Sequence, residues 1–412
     1  MKKTIEHHHL TRRTALFAMA GSVAHLAGCG GGGLDIAGIS SGGTGSFTSG
    51  SISGLGSIIV NGIRYDDSSA SVSGSVDSAS ALRPGMVVTV KGSPLTEATS
   101  VGGLRTGTAS SIVSASEWKG PVGTVGASSF TLLDLTVEIK PATLFDGEDL
   151  MPLSGLAGAN PLLAGYFVEV YGFIDPVSGH LVATRVERKS GLAALGNEYR
   201  VSGVVQAKTN GDFTLKGSRT APFTYDSSTT QPQTWSAGML VKVRLDTGFK
   251  ATRIELAAAS AIDGIKDDNA FELEGFVTAL APSSLAVSGV EVTIPVGVTF
   301  SGLALGKRVE VKGTKTAGKL VAAKVEIEGE SSSYKGSTGS YEFHGPVTDL
   351  VLDTGSGGSF TLKGTAFTYN SSTAVNDKLG WTASGTPYVT KVEVKASASN
   401  GVWLASKIDK ED

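Results

Sequence analysis

FELEGFVTALAPSSLAVSGVEVTIPVGVTFSGLALGKRVEVKGTKTAGKLVAAKVEIEG, residues 271–329, decides how the rest of the chain is read. Val309 and Val311 alternate with Arg308, Glu310 and Lys312, and Val325 and Ile327 alternate with Lys324, Glu326 and Glu328. A period of two over such runs marks strands with one apolar face. Ser288-Gly289 and residues 314–318 interrupt the strands as hairpin turns, because glycine reaches the positive φ that a tight reversal needs. The stretch predicts one small β-domain with a single dry face. It holds no catalytic signature.

The same grammar returns along the chain. The strand at 306–313 has counterparts at 85–92, 165–172, 238–243 and 388–394, the last preceded by Gly385. Each copy closes with an alanine three residues before a β-branched side chain: Ala109 and Ile112, Ala183 and Val186, Ala251 and Ile254, Ala322 and Val325, Ala405 and Ile408. In a regular strand that spacing sets the two on opposite faces, so the alanine marks a bulge or a close backbone approach. The opening strand recurs as Gly120-Pro121-Val122, Gly203-Val204-Val205, Gly275-Phe276-Val277 and Gly345-Pro346-Val347, and the first copy departs with Gly54-Leu55-Gly56. The expected architecture is all-β, about five tandem small OB-like β-barrel repeats at 53–117, 119–189, 198–258, 271–329 and 341–409, after a disordered, lipidated tether at 29–52. Units of some 60 residues bury too little surface to be robust alone, so neighbours are expected to touch. Whether they stack rigidly or hang as beads stays open at this level.

The 55 glycines among 412 residues are roughly twice the usual share of about 7%, in keeping with short strands and many turns. Basic residues up to Arg13 precede an apolar run, 15–27, too short to span a bilayer of about 30 Å as a helix. Residues 1–28 read as a lipoprotein signal peptide. Leu26, Ala27 and Gly28 form the cleavage motif, and Cys29, the one cysteine in the chain, is the acceptor for lipid. Arg12 and Arg13 resemble the twin-arginine export signal, but Ala15 stands where that pattern prefers an aromatic residue, so both export routes remain open. Gly30 after the cysteine points by resemblance to the outer membrane of a Gram-negative cell, with the body in the periplasm or at the cell surface. The Gly/Ser/Thr-rich tether reaches about 25–30 Å. Removing residues 1–28, which carry Lys2, Lys3, Arg12 and Arg13 against Glu6, leaves 31 basic and 37 acidic side chains, a net of −6. On that balance no nucleic-acid partner is expected.

The order Gly-x-Val, a hairpin, Gly-x-x-Val-x-Val-x-Gly and Ala-x-x-Ile/Val resembles the small β-barrel domain known as domain of unknown function 5666, which occurs in tandem in Gram-negative envelope lipoproteins. The resemblance covers nearly the whole chain after the leader. It implies fold and location, and no catalytic residues.

Groups capable of chemistry are few and scattered. Tyr65, Tyr225 and Tyr369 each precede Asp or Asn in the odd copies, which suits sugar stacking. Ordinary Asx turns are the better reading. Trp118, Trp235, Trp381 and Trp403 are platforms for a sugar or plugs for small cores, and the plug is favoured. Outside the leader only His180 and His344 occur, with no spacing for a triad or a metal site. Ser116–Lys119 and Ser332–Lys335 match Ser-x-x-Lys but lie between β-units without companion motifs. The carboxylate runs at 146–149 and 263–269 lack the alternation of a calcium loop. The expectation is a non-enzymatic cell-envelope lipoprotein, a binding or scaffold module without cofactor. It meets the membrane through its lipid anchor, with an envelope protein or a glycan as partner. The alternatives are a carbohydrate- or cell-wall-binding protein, for which Tyr65, Tyr225, Tyr369 and Trp403 are the ligand-binding candidates, and, less favoured, an envelope hydrolase.

Overall fold

Alternation makes strands, and parallel pairing with the last strand closes each set into a ring. The computed structural model describes residues 45–99, 103–147, 155–157, 160–217, 221–257, 265–327, 340–353, 357–376, 379, 391–399 and 402–411. In the fourth copy Ala270–Ala281 pairs antiparallel with Ser284–Val287, which pairs with Val290–Thr293. Val290–Thr293 runs parallel to Lys319–Ile327, which returns along Arg308–Thr316, and that strand pairs back onto Ala270–Ala281. Strand order one-two-three-five-four is the OB arrangement. The same ring is traced through 46–114, 118–189 and 341–410. In 199–256 two isolated parallel bridges, Thr224 with Lys250 and Thr230 with Arg253, make the closing contact.

The recurring motifs now have physical reasons. Gly85, Gly165, Gly238 and Gly306 enter the fourth strand of their barrels at φ between +76° and +88°, where a side chain would be strained. Their N–H groups donate to the carbonyls of Ile52, Val122, Val205 and Val277 at 2.7–3.0 Å, tying the fourth strand to the opening one. The alanine motif is a bulge in all five copies. Thr184, for example, is skipped between the pairs Tyr171 with Arg185 and Gly172 with Ala183, and the same break follows Ala109, Ala251, Ala322 and Ala405. The skipped residue turns alanine and its β-branched partner to the same side, so both are buried. In three barrels a threonine locks this bulge. Thr143, Thr229 and Thr373 donate to the carbonyls of Ala183, Ala251 and Ala405, each at 2.7 Å, and accept from the backbone N–H groups of Lys140, Asp226 and Asn370.

One expectation is corrected. Residues 46–52, read as tether, belong to the strand Ser46–Leu55. The first copy's opening motif is Gly50-Ser51-Ile52: Gly50 faces Val88 as Gly120, Gly203, Gly275 and Gly345 face Val168, Val241, Val309 and Val392. It was hidden in low-complexity sequence for a reason of space. This strand pairs in parallel with Ala270–Ala281 over Ser46–Ser49 and with the opening strand Tyr341–Asp353 over Gly54-Leu55, so three barrels meet on it. A Cβ on Gly50 would run into the side chains of Asn61 and Glu274, and one on Gly54 into the carbonyl of Glu342. Glycine is what fits at those two positions.

Through that seam the first, fourth and fifth barrels form one 17-stranded sheet, while the second and third share a 10-stranded sheet joined at Lys119 and Arg200. The described residues make one contiguous body. Cores merge across the units: one cluster runs from Trp118 to Ile254 through the second and third barrels, and the first barrel's core takes in Tyr171, Phe173 and Val182 of the second and Phe276 of the fourth. Merging is how barrels too small to be robust singly acquire stability.

Candidate functional site

The face of the fourth barrel that alternation assigns to water is in fact packed against its neighbours. Glu272 is 2% exposed and Glu274 and Glu310 are buried beside it. Each has a cation beside it: Arg105 of the first barrel pairs with Glu272, Arg308 pairs with Glu274 across the strand pair, and Lys312, two residues on along the same strand, lies 3.0 Å from Glu310 and 3.6 Å from Glu272 and Glu326. The N–H of Ser51 donates to Glu274 at 2.8 Å, and the Arg308 guanidinium lies 4.8 Å from the ring centre of Phe173. The second barrel has a like junction: Arg185 holds Asp146 and Glu187 and donates to the carbonyl of Pro84 in the first barrel.

Beside these ion pairs lies a cavity of about 190 Å³ where four barrels meet. Val87, Val113, Phe173, Leu240, Leu273 and Val290 form its apolar wall, and Glu117, Glu274 and Lys242 its polar edge. Lys242 and Glu117 are paired at 2.9 Å. Dry engineered cavities of about 150 Å³ hold one benzene ring, so this space suits one aromatic or branched aliphatic group and not a lipid chain. A wider, more polar recess of about 450 Å³ lies between the first and fifth barrels, bordered by Leu55, Asp66, Asp67, Arg83, Lys363 and Thr365.

Electrostatics at the junction is testable. Burial pushes the Glu310 carboxyl well above the usual range; Lys312 pulls it back and Glu272 pushes it further up. A carboxyl whose folded pKa exceeds its unfolded value of about 4.3 stabilises the fold below that value, and the contribution is lost as pH rises through the folded pKa. Glu310→Gln is therefore expected to raise the thermal midpoint at pH 8 more than at pH 4. Equal gains at the two pH values would count against the buried carboxyl.

The aromatic candidates are placed as follows. Tyr65 is wholly buried: its hydroxyl lies 2.7 Å from Thr48 Oγ1 and 3.2 Å from Ser46 Oγ, and burial pushes its pKa up to about 12. It is a core residue and not the ligand platform that its sequence context suggests. Tyr225 is half-buried, donates to the carbonyl of Thr209 at 2.6 Å and packs edge-on against Trp235. Tyr369 is half-buried beside Phe360, and Trp403 lies edge-on to Tyr341 and Phe343 at 5.3 and 4.8 Å. These rings complete cores because a five-stranded barrel has few interior positions. Trp118 and Trp235 are buried likewise. The Asx turns are present: Ser68, Ser228 and Ser372 donate backbone N–H to Asp66, Asp226 and Asn370 at 2.8–3.0 Å. Arg12, Arg13, Leu26, Ala27, Gly28, Cys29, Trp381 and Ser332–Lys335 lie outside the described residues. What pattern reading missed is the cavity and the buried charges, since both are made by side chains from different barrels.

Comparison with known proteins bears on this arrangement. Residues 119–187, 274–326 and 344–409 match the model of a family described as a domain of unknown function, DUF5666. No curated protein matches the chain. Among solved structures, a chain described as drosophila Unr CSD456 aligns at 10% identity, covering 72% of this chain and 97% of that one, with a TM-score of 0.13. A multidomain protein with nucleic acid binding domains from Streptococcus pneumoniae TIGR4 aligns at 9% identity over 50% and 72%, with a TM-score of 0.11. The exclusion of nucleic acid drawn from net charge is corrected by these neighbours, although likenesses so low carry no argument for binding.

Proposed function

With three DUF5666 segments in its chain, we propose that this protein is a non-enzymatic cell-envelope lipoprotein whose barrels act together as a binding scaffold. The observation that carries the reading is the seam. The strand Ser46–Leu55, which follows Cys29 after a short Gly/Ser-rich run, pairs with two other barrels as well as its own. A lipid anchor at Cys29 would thus attach at the middle of the assembly and hold several barrels in fixed relation at the membrane. The outer membrane of a Gram-negative cell is the location that the leader and Gly30 favour. Binding would use faces that lie between barrels, such as the four-barrel cavity, in preference to the odd-copy tyrosines.

Expression in a Gram-negative host with radiolabelled palmitate tests the anchor. The full chain is expected to take up label and to sediment with outer membranes, and Cys29→Ala to lose both properties. Label retained by Cys29→Ala would end the lipoprotein reading. Affinity capture from envelope extract with residues 30–412, scored for proteins, glycans and nucleic acid together, addresses the binding role.

A further inference from the structure

Two strands of the fifth barrel place metal-ligating side chains side by side. His344 stands opposite Glu393 in the antiparallel pairing of Tyr341–Asp353 with Lys391–Ser399, and Glu342 stands opposite Lys395 two residues away on the same face. One ligand atom from each of Glu342, His344 and Glu393 lies within 4.8 Å of the others. His344 is 4% exposed, which is unusual for an imidazole on the polar face of a strand. Its Nε2 is 2.9 Å from Glu342 Oε1. Its Nδ1 receives no hydrogen bond and faces Glu411 Oε1 at 3.4 Å, and that oxygen is held at 2.5 Å by Arg64 of the first barrel.

We propose that Glu342, His344 and Glu393 form a binding site for a divalent transition-metal ion, with zinc as the fitting probe. One imidazole nitrogen and two carboxylate oxygens are a zinc donor set, and three protein ligands leave a fourth position for water or a ligand. Calcium asks for six to eight oxygens and magnesium for an octahedron of oxygens, so neither suits this set. Ligand atoms around a tetrahedral zinc, with bonds of about 2.0–2.1 Å, stand about 3.3 Å apart. Only the carboxylates need to close in. Glu393 is partly exposed, which leaves its side chain room to turn inward.

The second contact of His344 supports this use. A histidine that ligates through one nitrogen typically donates the other N–H to a carboxylate, which fixes the tautomer. Glu411, steadied by Arg64, is the carboxylate that faces Nδ1 at 3.4 Å and would take that proton when the site is filled, so the first barrel positions a partner for a ligand on the fifth. The backbone is clamped too: a Cβ on Gly56 of the first barrel would strike the carbonyl of His344. Lys395 supplies the positive charge in the metal-free protein, with Nζ 3.4 Å from Glu393 and 3.9 Å from Glu342. Its side chain is two-fifths exposed, so it withdraws to water when the cation enters.

Calorimetric titration of zinc chloride into the chelator-treated, detergent-solubilised full chain tests the assignment. One equivalent is expected to bind. Glu393→Gln, at a partly exposed position, and His344→Ala should each weaken binding at least about 100-fold, and Glu411→Gln should weaken it about tenfold through the orienting contact. Lys395→Met should tighten it. Absence of binding by the parent chain, or undiminished binding by both Glu393→Gln and His344→Ala, would overturn the site. The thermal midpoint of each variant without zinc is measured alongside. If His344→Ala does not fold, the Glu393→Gln titration decides: a loss of affinity supports the site and undiminished binding overturns it.

Discussion

Arg185→Met is expected to cost about 3–5 kcal/mol, the usual penalty for removing one partner of a buried ion pair. The guanidinium is buried with Nε 2.5 Å from Glu187 Oε1, pairs with Asp146, and donates to the carbonyl of Pro84 at 3.2 Å. Burial opposes its charge, yet Glu187 and Asp146 outweigh that and hold its pKa above the ordinary value. Burial likewise opposes ionisation of Glu187, and Arg185 and Lys189 outweigh it, so this carboxyl titrates below its usual range. The parent's contribution from Glu187 is present above an unfolded pKa of about 4.3 and is lost as pH falls through the depressed folded value. Without Arg185 the carboxylate remains buried beside Lys189 alone. The deficit of the variant should therefore be large at pH 8 and shrink at pH 4, where Glu187 is free to protonate. Urea midpoints at the two pH values measure this. The double variant Arg185→Met, Glu187→Leu should recover much of the loss, because it removes the buried pair together, while Asp146 is two-fifths exposed to water and Lys189 keeps Glu169. A single variant within about 1 kcal/mol of the parent would show that the junction does not depend on the triad.

Trp118→Ala should cost a similar amount, about 3–5 kcal/mol, from lost contacts and the cavity left behind. The indole is wholly buried, and its Nε1–H donates to the carbonyl of Ser202 at 2.8 Å, across the boundary between the second and third barrels. The two barrels share one hydrophobic cluster, so the damage is expected on both sides. Amide exchange should accelerate in Tyr199–Lys208 as well as in Trp118–Val125. Trp118→Phe keeps most of the apolar area and loses the hydrogen bond, for which about 1 kcal/mol is expected. Acceleration confined to the second barrel would mean that the two units are energetically separate in spite of their contact.

Much of the architecture is local and was legible as such. Alternation every two residues, glycines at positive φ and the Ala-x-x-Val/Ile bulge depend on backbone geometry over a few residues, so each copy carries its own instructions for strands and turns. The Asx turns after Tyr65, Tyr225 and Tyr369 belong to the same class. Junctions are different in kind. That Gly50-Ser51-Ile52 is an opening strand follows from three barrels converging on it, and small residues are uninformative until the neighbours they make room for are known. Glu272, Glu274 and Glu310 look like a solvated face in sequence, and Arg105, some 170 positions earlier, is what makes the burial of Glu272 tolerable. His344 gains Glu393 by strand pairing and Glu411 with Arg64 by the meeting of two barrels. The sequence by itself determined the repeated strand grammar, because short-range geometry sets it. Only the tertiary structure decided which polar faces are buried, where the cavities lie and which charges meet, because those depend on contacts between residues far apart in the chain.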